Sequence, residues 1–398
     1  MIITVEAQSI VKLLAAAIVL ALVLASGQAP AWAQAGWYLI PSFRLSESFD
    51  DNIFGTSSNK ESDFISRFSI GLQRGYRSEP FTLLFSGGFD AEVFAKNPQL
   101  NDAVSGWHSG LNLQYLPTRP LTLALNVAYT ETRSLTTLTQ ALTAPSLAAP
   151  TPATTLEFGR QKTTFLSAAP SVAYQFTPLT SGTSGYTFTQ TTQEGGFTNT
   201  AHQPTLGLSH RLTPLDTGLL NYRLDIFENE GSSTTYGNVV TIGWTRQLTP
   251  DTTVTLQAGP RFNSDGSLNA EASASLAHQF KVADQVGRAS LAYAHSEGFV
   301  IGQTGTVTTD SLSGSIGFEP IRLLQISVAP GVTRLSGGTT TPDTTTYGVT
   351  AGASYQLLRW LAARASYNFS YQDQTGSKIP HNVFTLSLEA IYPTRVDQ

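Results

Sequence analysis

Hydrolytic chemistry in this chain would have to come from its six histidines and the serines and acids around them. A nucleophilic site needs a serine, a base and an acid that orients the base, all within hydrogen-bond reach. On a β-strand, residues two positions apart share a face, so base and nucleophile would show as His-x-Ser or meet across two strands. None of the six histidines has a serine two positions away. His295-Ser296-Glu297 is contiguous, which sends His295 and Ser296 to opposite faces, while His108, His202, His210, His278 and His381 stand alone. The chain therefore reads as a non-enzyme, with a lipid hydrolase assembled across strands as the least favoured alternative.

Metal and redox chemistry are no better supplied. Asp50-Asp51-Asn52 is an acidic cluster of the kind that can hold calcium, but its plainer reading is a solvated strand-to-loop turn. No cysteine is present, which removes disulfides, thiolate metal sites and a thiol nucleophile together. No metal and no cofactor are expected.

What remains is a set of charged and amide side chains spaced to lie on one face of successive strands: Arg44, Arg67, Gln73, Asp90, Asn112, Gln114, Asn126, Arg223, Asp225, Arg261, Glu271 and Arg364. Projecting into a pore, the arginines would favour anionic solutes or bond to sugar hydroxyls. The plainer reading is that they pair with Asp90, Asp225 and Glu271 and solvate the interior.

The elements that carry these residues are strands. From 361 to 372, Leu361, Ala363, Ala365, Tyr367, Phe369 and Tyr371 fall on one face and Arg364, Ser366, Asn368, Ser370 and Gln372 on the other. The same split recurs at 121–130, 347–357 and 384–392. Such runs exceed the five or six residues of ordinary strands and match the 9 to 11 or so of a tilted membrane-spanning strand. Aromatic residues such as Trp37, Trp107, Tyr115, Tyr129, Tyr174, Trp244 and Tyr371 favour strand ends, as interfacial girdles do.

Phe176-Thr177-Pro178, Leu212-Thr213-Pro214 and Leu248-Thr249-Pro250 recur at 36-residue intervals, the length of one long hairpin. Proline is tolerated there because it stands just past the last ladder bond. Eight short connectors alternate with nine longer polar ones, which predicts an all-β, transmembrane, antiparallel up-and-down β-barrel of about 18 strands, with 16 as the alternative. The short connectors are then periplasmic turns and the longer ones extracellular loops. The longest, a Thr/Ala/Pro-rich stretch at 134–157, reads as an external loop that is either a disordered tip or a lid folded into the lumen.

The beginning of the chain supports a bilayer destination. Residues 13–24 are an uninterrupted apolar run after Lys12, and Ala31-Trp32-Ala33 offers a small-x-small cleavage site, so 1–33 reads as a signal peptide and 34–398 as a single barrel. Charged residues make up 13 %, about half the share usual in soluble domains, and the net charge of −5 argues against a nucleic-acid partner.

Ser48-Phe-Asp-Asp-Asn-Ile-Phe-Gly55, Asp63-Phe-Ile-Ser-Arg-Phe-Ser-Ile-Gly-Leu72 and Phe94-Ala-Lys-Asn-Pro-Gln-Leu-Asn-Asp102 resemble a family of outer-membrane β-barrel porins often associated with bacterial exopolysaccharide loci. In that family an Asp-Asn pair closes the first strand, and an aromatic followed by a Leu-Asn loop closes the third. The resemblance implies a channel in the bacterial outer membrane, with lipid around it and a solute or polysaccharide in its lumen. It also implies the outer-membrane assembly machinery and periplasmic export proteins as partners. One departure is that Tyr392 is followed by Pro393 to Gln398, where a terminal aromatic commonly guides assembly. The expected function is a porin-like pore, either a polysaccharide export conduit or a passive solute channel; a surface-interaction barrel with a plugged lumen is the alternative.

Overall fold

The computed structural model describes residues 36–133, 160–282, 285–301, 305–337, 343–374 and 376–392, together with the backbone of 153–154 and 394–395. The segment expected to be a signal peptide, 1–33, and most of the 134–157 stretch lie outside the described residues.

Eighteen long strands carry the fold. They are β1 (Gly36–Asp50), β2 (Asp63–Arg77), β3 (Phe81–Phe94), β4 (Asp102–Thr118), β5 (Leu121–Thr132), β6 (Thr163–Thr177), β7 (Thr180–Gln193), β8 (Thr198–Arg211) and β9 (Asp216–Asn229). The second half comprises β10 (Thr235–Thr249), β11 (Thr252–Asn263), β12 (Leu268–Val282), β13 (Gln285–Val300), β14 (Val307–Ile321), β15 (Leu324–Ser336), β16 (Thr344–Leu358), β17 (Leu361–Gln374) and β18 (Ser377–Ile391). Each pairs antiparallel with its neighbours in sequence, and β1 pairs with β18 from Ser42↔Ile391 to Asp50↔Val383. The sheet is therefore a closed barrel, and the expected count of 18 holds over 16.

Its sidedness is the inverse of a water-soluble fold. Among the described residues, 21 buried side chains are polar or charged and only 14 are apolar. On β2, Phe64, Phe68, Ile70 and Leu72 are exposed to the outside, while Arg67 and Ser69 line a cavity within. Ile242 on β10 is 71 % exposed, a position no soluble protein would give an isoleucine of this size repeatedly around its wall. A closed sheet with an apolar exterior leaves no backbone group unpaired in hydrocarbon, and barrels of this kind reside in the bacterial outer membrane.

Two aromatic levels bound the apolar belt. At the short-turn rim, Trp37, Tyr76, Phe81 and Tyr115 form a row of touching rings across β1–β4, with centroid distances of 5.0, 6.0 and 6.2 Å. At the other level, tyrosine hydroxyls reach polar groups nearer the long-loop rim: Tyr129 donates to Glu131, Tyr222 to Asn238, Tyr293 to Asp310 and Tyr367 to Asn382, at 2.7 to 3.1 Å. Along β5, the eight steps from Leu121 to Tyr129 rise roughly 20 Å at a strand tilt of about 40°. That is the thickness the belt must match.

The Thr-Pro marks sit at short turns, as the spacing predicts, and their threonines have a role of their own. Thr213 Oγ1 accepts hydrogen bonds from the backbone N–H groups of Leu215 (3.2 Å) and Asp216 (3.0 Å), and Thr177 Oγ1 does the same for Leu179 and Thr180. The hydroxyl satisfies donors that the ladder has just released. At the opposite rim, Gly266 takes φ +83° in the 264–267 turn, a backbone conformation that costs glycine nothing.

The lumen and its candidate solute site

The barrel interior divides into two unlike halves. Along β6–β13 it is filled. Phe299 and Ile301, at and just past the end of β13, pack against Phe165 on β6, Ala201 on β8 and Phe227 on β9. Since β10–β12 separate β9 from β13, the chain can make those contacts only by leaving the wall and crossing the external mouth. Val300 turns the other way, onto Val307 and Leu335. Backbone residues Ala153 and Thr154 add a parallel two-residue strand to Phe299 and Val300, so the 134–157 stretch reaches this inward fold at that point. The segment from 297, expected as a plain external loop, is thus a continuation of β13 bent inward. Three consecutive apolar residues with no polar alternation need burial on both sides, and only the lumen offers it.

Beneath this cap lies a charge network. Arg261 and Asp225 are both fully buried and meet at 2.5 Å; Arg261 also reaches Glu271 (2.9 Å) and Glu297 (3.1 Å). Arg223 bonds to Asp225 (2.7 Å) and Glu271 (2.7 Å), and Gln203 donates to Asp225 at 2.7 Å. Five charges in one cluster, each with opposite-sign partners, satisfy what burial demands of ionised groups. Gly237 gives Arg261 its space, because a Cβ there would collide with the guanidinium.

The other half, along β1–β4 and β13–β18, holds a cavity of about 1070 Å³. It extends from Val286 and Glu319, beside two short turns, to Asp50 and Arg160 near the opposite rim. Its wall is rich in hydroxyls, including Ser46, Ser69, Ser366 and Ser387, and carries Arg44, Arg67, Asp90 and Arg364. Two arginine–glutamate–arginine groups stand on this wall. Glu389 lies 2.6 Å from both Arg44 and Arg364, and Glu92 takes Arg67 and Arg160. Glu92 is 2 % exposed and Arg160 stacks 4.6 Å over Phe94, so the second group is sunk into the wall.

Of the twelve residues singled out by spacing, Arg44, Arg67, Asp90 and Arg364 thus meet at the cavity, and Arg223, Asp225, Arg261 and Glu271 meet in the network. Asn112 donates to Asn126 across β4 and β5, away from both. Gln73, opposite Ser86, and Gln114, opposite Ala124, stand in the short-turn half of β2 and β4. Arg67 pairs with Glu92, not with Asp90. Glu92, Glu389 and His108 were legible by parity, since they share faces with Asp90, Thr385 and Asn112. Arg160 was not, because it follows the long loop and no strand periodicity points to it.

Two further polar clusters lie at the external rim and on the outer wall. Asp50 and Asp51 bind the far edge of the seam: His381 Nε2 is 2.8 Å from Asp50, and Asn382 donates its backbone N–H and its amide to Asp51, both at 2.7 Å. That arrangement makes the acidic cluster a clasp between β1 and β18. His295 Nδ1 is 2.7 Å from Asp310, which also accepts from Tyr293, on the outward face.

No protein-family model matches the chain, and no curated protein matches it in sequence. Among solved structures it is similar to OpdO of Pseudomonas aeruginosa (10 % identity over 91 % of this chain and 98 % of that one, TM-score 0.49). OpdL of the same organism gives 11 % identity over 92 % and 100 %, with TM-score 0.47. OccAB4 of Acinetobacter baumannii gives 10 % over 90 % and 98 %, with TM-score 0.46. At these identities and scores the likeness is one of general barrel architecture.

Proposed function

We propose that this protein is a passive outer-membrane channel for small polar solutes, with its path along the seam where β1 meets β18. The observation that carries the reading is the polar cavity of about 1070 Å³ that runs nearly the full height of that wall. An 18-stranded barrel is wide enough to leave an aqueous route unless something fills it, and here the filling occupies the other half. That cavity does not favour a surface-interaction barrel with a plugged lumen. The crossing of the mouth by Phe299 and Ile301 favours solutes of small cross-section over a polymer.

Export of a polysaccharide chain, delivered by periplasmic partners, is the finer reading that the sequence resemblance implies. Loss of surface polysaccharide on deletion of the gene would support it, and unchanged polysaccharide would count against it.

The chain contains no cysteine, so a single introduced thiol is a clean probe. Ser366→Cys in planar bilayers should conduct and then lose conductance when a bulky thiol reagent reacts, whereas the parent protein should not respond. A folded, heat-modifiable barrel that never conducts would sink the channel reading.

A further inference from the structure

We infer that the short-turn rim of the barrel binds the peptidoglycan mesh through a ring of unpaired cations. Short turns face the periplasm in barrels of this kind. Arg119, Arg322 and Arg359 sit in three of those turns, and Arg77, Arg211 and Lys281 lie at or next to the last residue of the strands that lead into three others. All six are exposed, and none makes an ion pair among the described residues. The opposite rim treats its cations differently. There Arg133 and Lys162 contact Glu194 and Glu131 at 3.3 and 2.8 Å. The acids beside the six are Glu79 and Asp251, with Asp284 outside the described residues, so six cations face three acids in a chain whose net charge is −5. Asp216 and Glu319 do not alter the balance, because Arg246 lies 3.6 Å from the first and Arg288 stands on the strand beside the second.

Position in the fold selects the partner. Arg77, Arg211 and Lys281 alternate with Tyr76, Leu212 and Val282, which face lipid, so these three cations turn away from the bilayer. The six also encircle the rim: from β2 through the turns after β4, β8, β12, β14 and β16 and back to β2, no gap exceeds four strands. With strands about 4.8 Å apart and tilted by about 40°, that ring is roughly 35 Å across. A globular protein would meet one arc of it or cover the mouth. A broad, flat polyanion meets all of it, and a porous one leaves the mouth open. Peptidoglycan has that form, since the free carboxylates of its peptide stems are spread over a mesh that lies beneath the outer membrane. Each guanidinium or ammonium group can give a stem carboxylate a charge-assisted hydrogen bond, and six such contacts on one rigid rim add as a multivalent set.

Co-sedimentation of the full-length barrel, held in phosphatidylcholine nanodiscs, with purified sacculi tests the assignment. The barrel should pellet with sacculi at low ionic strength and be released at about 1 M salt, where the screening length falls to about 3 Å. Changing all six cations to glutamine should weaken retention by about tenfold or more. Changing Lys96, Arg133 and Lys162 of the external rim to glutamine should leave it as it is. Heat-modifiable gel mobility shows whether the six-fold variant is folded. A second arm needs no variant: sacculi whose carboxylates have been converted to neutral amides should no longer retain the parent barrel. Failure to pellet at low salt, retention that survives amidation, or a folded six-fold variant that binds like the parent would each overturn the site. Retention lost equally on neutralising the external cations would do the same. Binding to polyglutamate or to phosphatidylglycerol vesicles without binding to sacculi would also overturn it, in favour of an acidic protein or of lipid.

Discussion

Arg44 on the first strand and Glu389 on the last meet at 2.6 Å across the line where the barrel closes. That line is the shortest of the long ladders, with nine opposed residue pairs between β1 and β18 against fifteen between β1 and β2. Side chains compensate along it. Ser48 and Thr385 share a hydroxyl contact at 2.9 Å, and the Asp50–His381 and Asp51–Asn382 contacts bind the external end. Glu389→Ala removes the ion pair across the seam together with the Glu389–Arg364 pair next to it, and leaves Arg44 beside Arg364. Because both arginines are partly solvated, the cost should be modest, about 1–2 kcal/mol. Thermal unfolding followed by heat-modifiable gel mobility should move to lower temperature, and an unchanged midpoint would show that the backbone ladder alone closes the barrel.

The buried pair of Arg261 and Asp225 should be far less forgiving. Arg261→Met deprives fully buried Asp225 and nearly buried Glu271 and Glu297 of a cation they share, a loss of about 3–5 kcal/mol. Adding Asp225→Asn should recover part of that loss, because the two residues act as one unit. Gly237→Ala should reproduce the defect more weakly by displacing the guanidinium. Urea titration of the folded barrel measures all three, and strict additivity of the first two substitutions would refute the coupling.

These two contacts mark where sequence is informative and where it is not. Arg44 and Arg364 were legible as inward-facing because strand parity assigns every residue to a face, and parity follows from backbone geometry alone. Their shared partner lies 345 residues from Arg44 in sequence, and only closure of the sheet brings the two together. The strand count was legible for a similar reason: Pro178, Pro214 and Pro250 interrupt ladders and so reveal where hairpins turn. The inward course of Phe299–Ile301 was not, since a short apolar run at a strand end has no period to say which neighbour will bury it. Its three successive apolar residues were the one available signal.

The external rim should be acid-sensitive at Asp63. Burial pushes its carboxyl upward, but the backbone N–H groups of Lys96, Phe64 and Asn97 and the Asn97 amide outweigh that and hold it below its ordinary value. A carboxyl depressed in the folded state stabilises it at pH above the ordinary value of about 4 and loses that contribution as pH falls through the folded-state value. Protonation should therefore loosen the 95–101 connector that Asp63 anchors. Amide exchange there should rise more steeply on acidification than in Asp63→Asn, whose exchange should already be raised at neutral pH; parallel pH profiles in the two proteins would exclude the mechanism.

The cap over the filled half should set the conductance. Phe299 is fully buried, with its ring 6.1 Å from that of Phe227 in an edge-on arrangement, and it is one of two side chains that hold the bent end of β13 against the far wall. Phe299→Ala removes about 3–5 kcal/mol of packing from the contact between that segment and the far wall, where Ile301 is the other side chain holding it. The barrel itself should survive, because its eighteen ladders do not depend on that ring. What should change is the mouth: single-channel conductance rises as the segment leaves the lumen, and protease added from outside cuts within 297–306, where the parent protein resists. Phe227→Ala, which removes the aromatic partner of Phe299 from the wall, should have the same effect on both readouts. Conductance unchanged in both variants would mean that solutes already bypass the cap entirely along the seam, and a conductance loss would mean that the cap supports the seam cavity instead of crowding it.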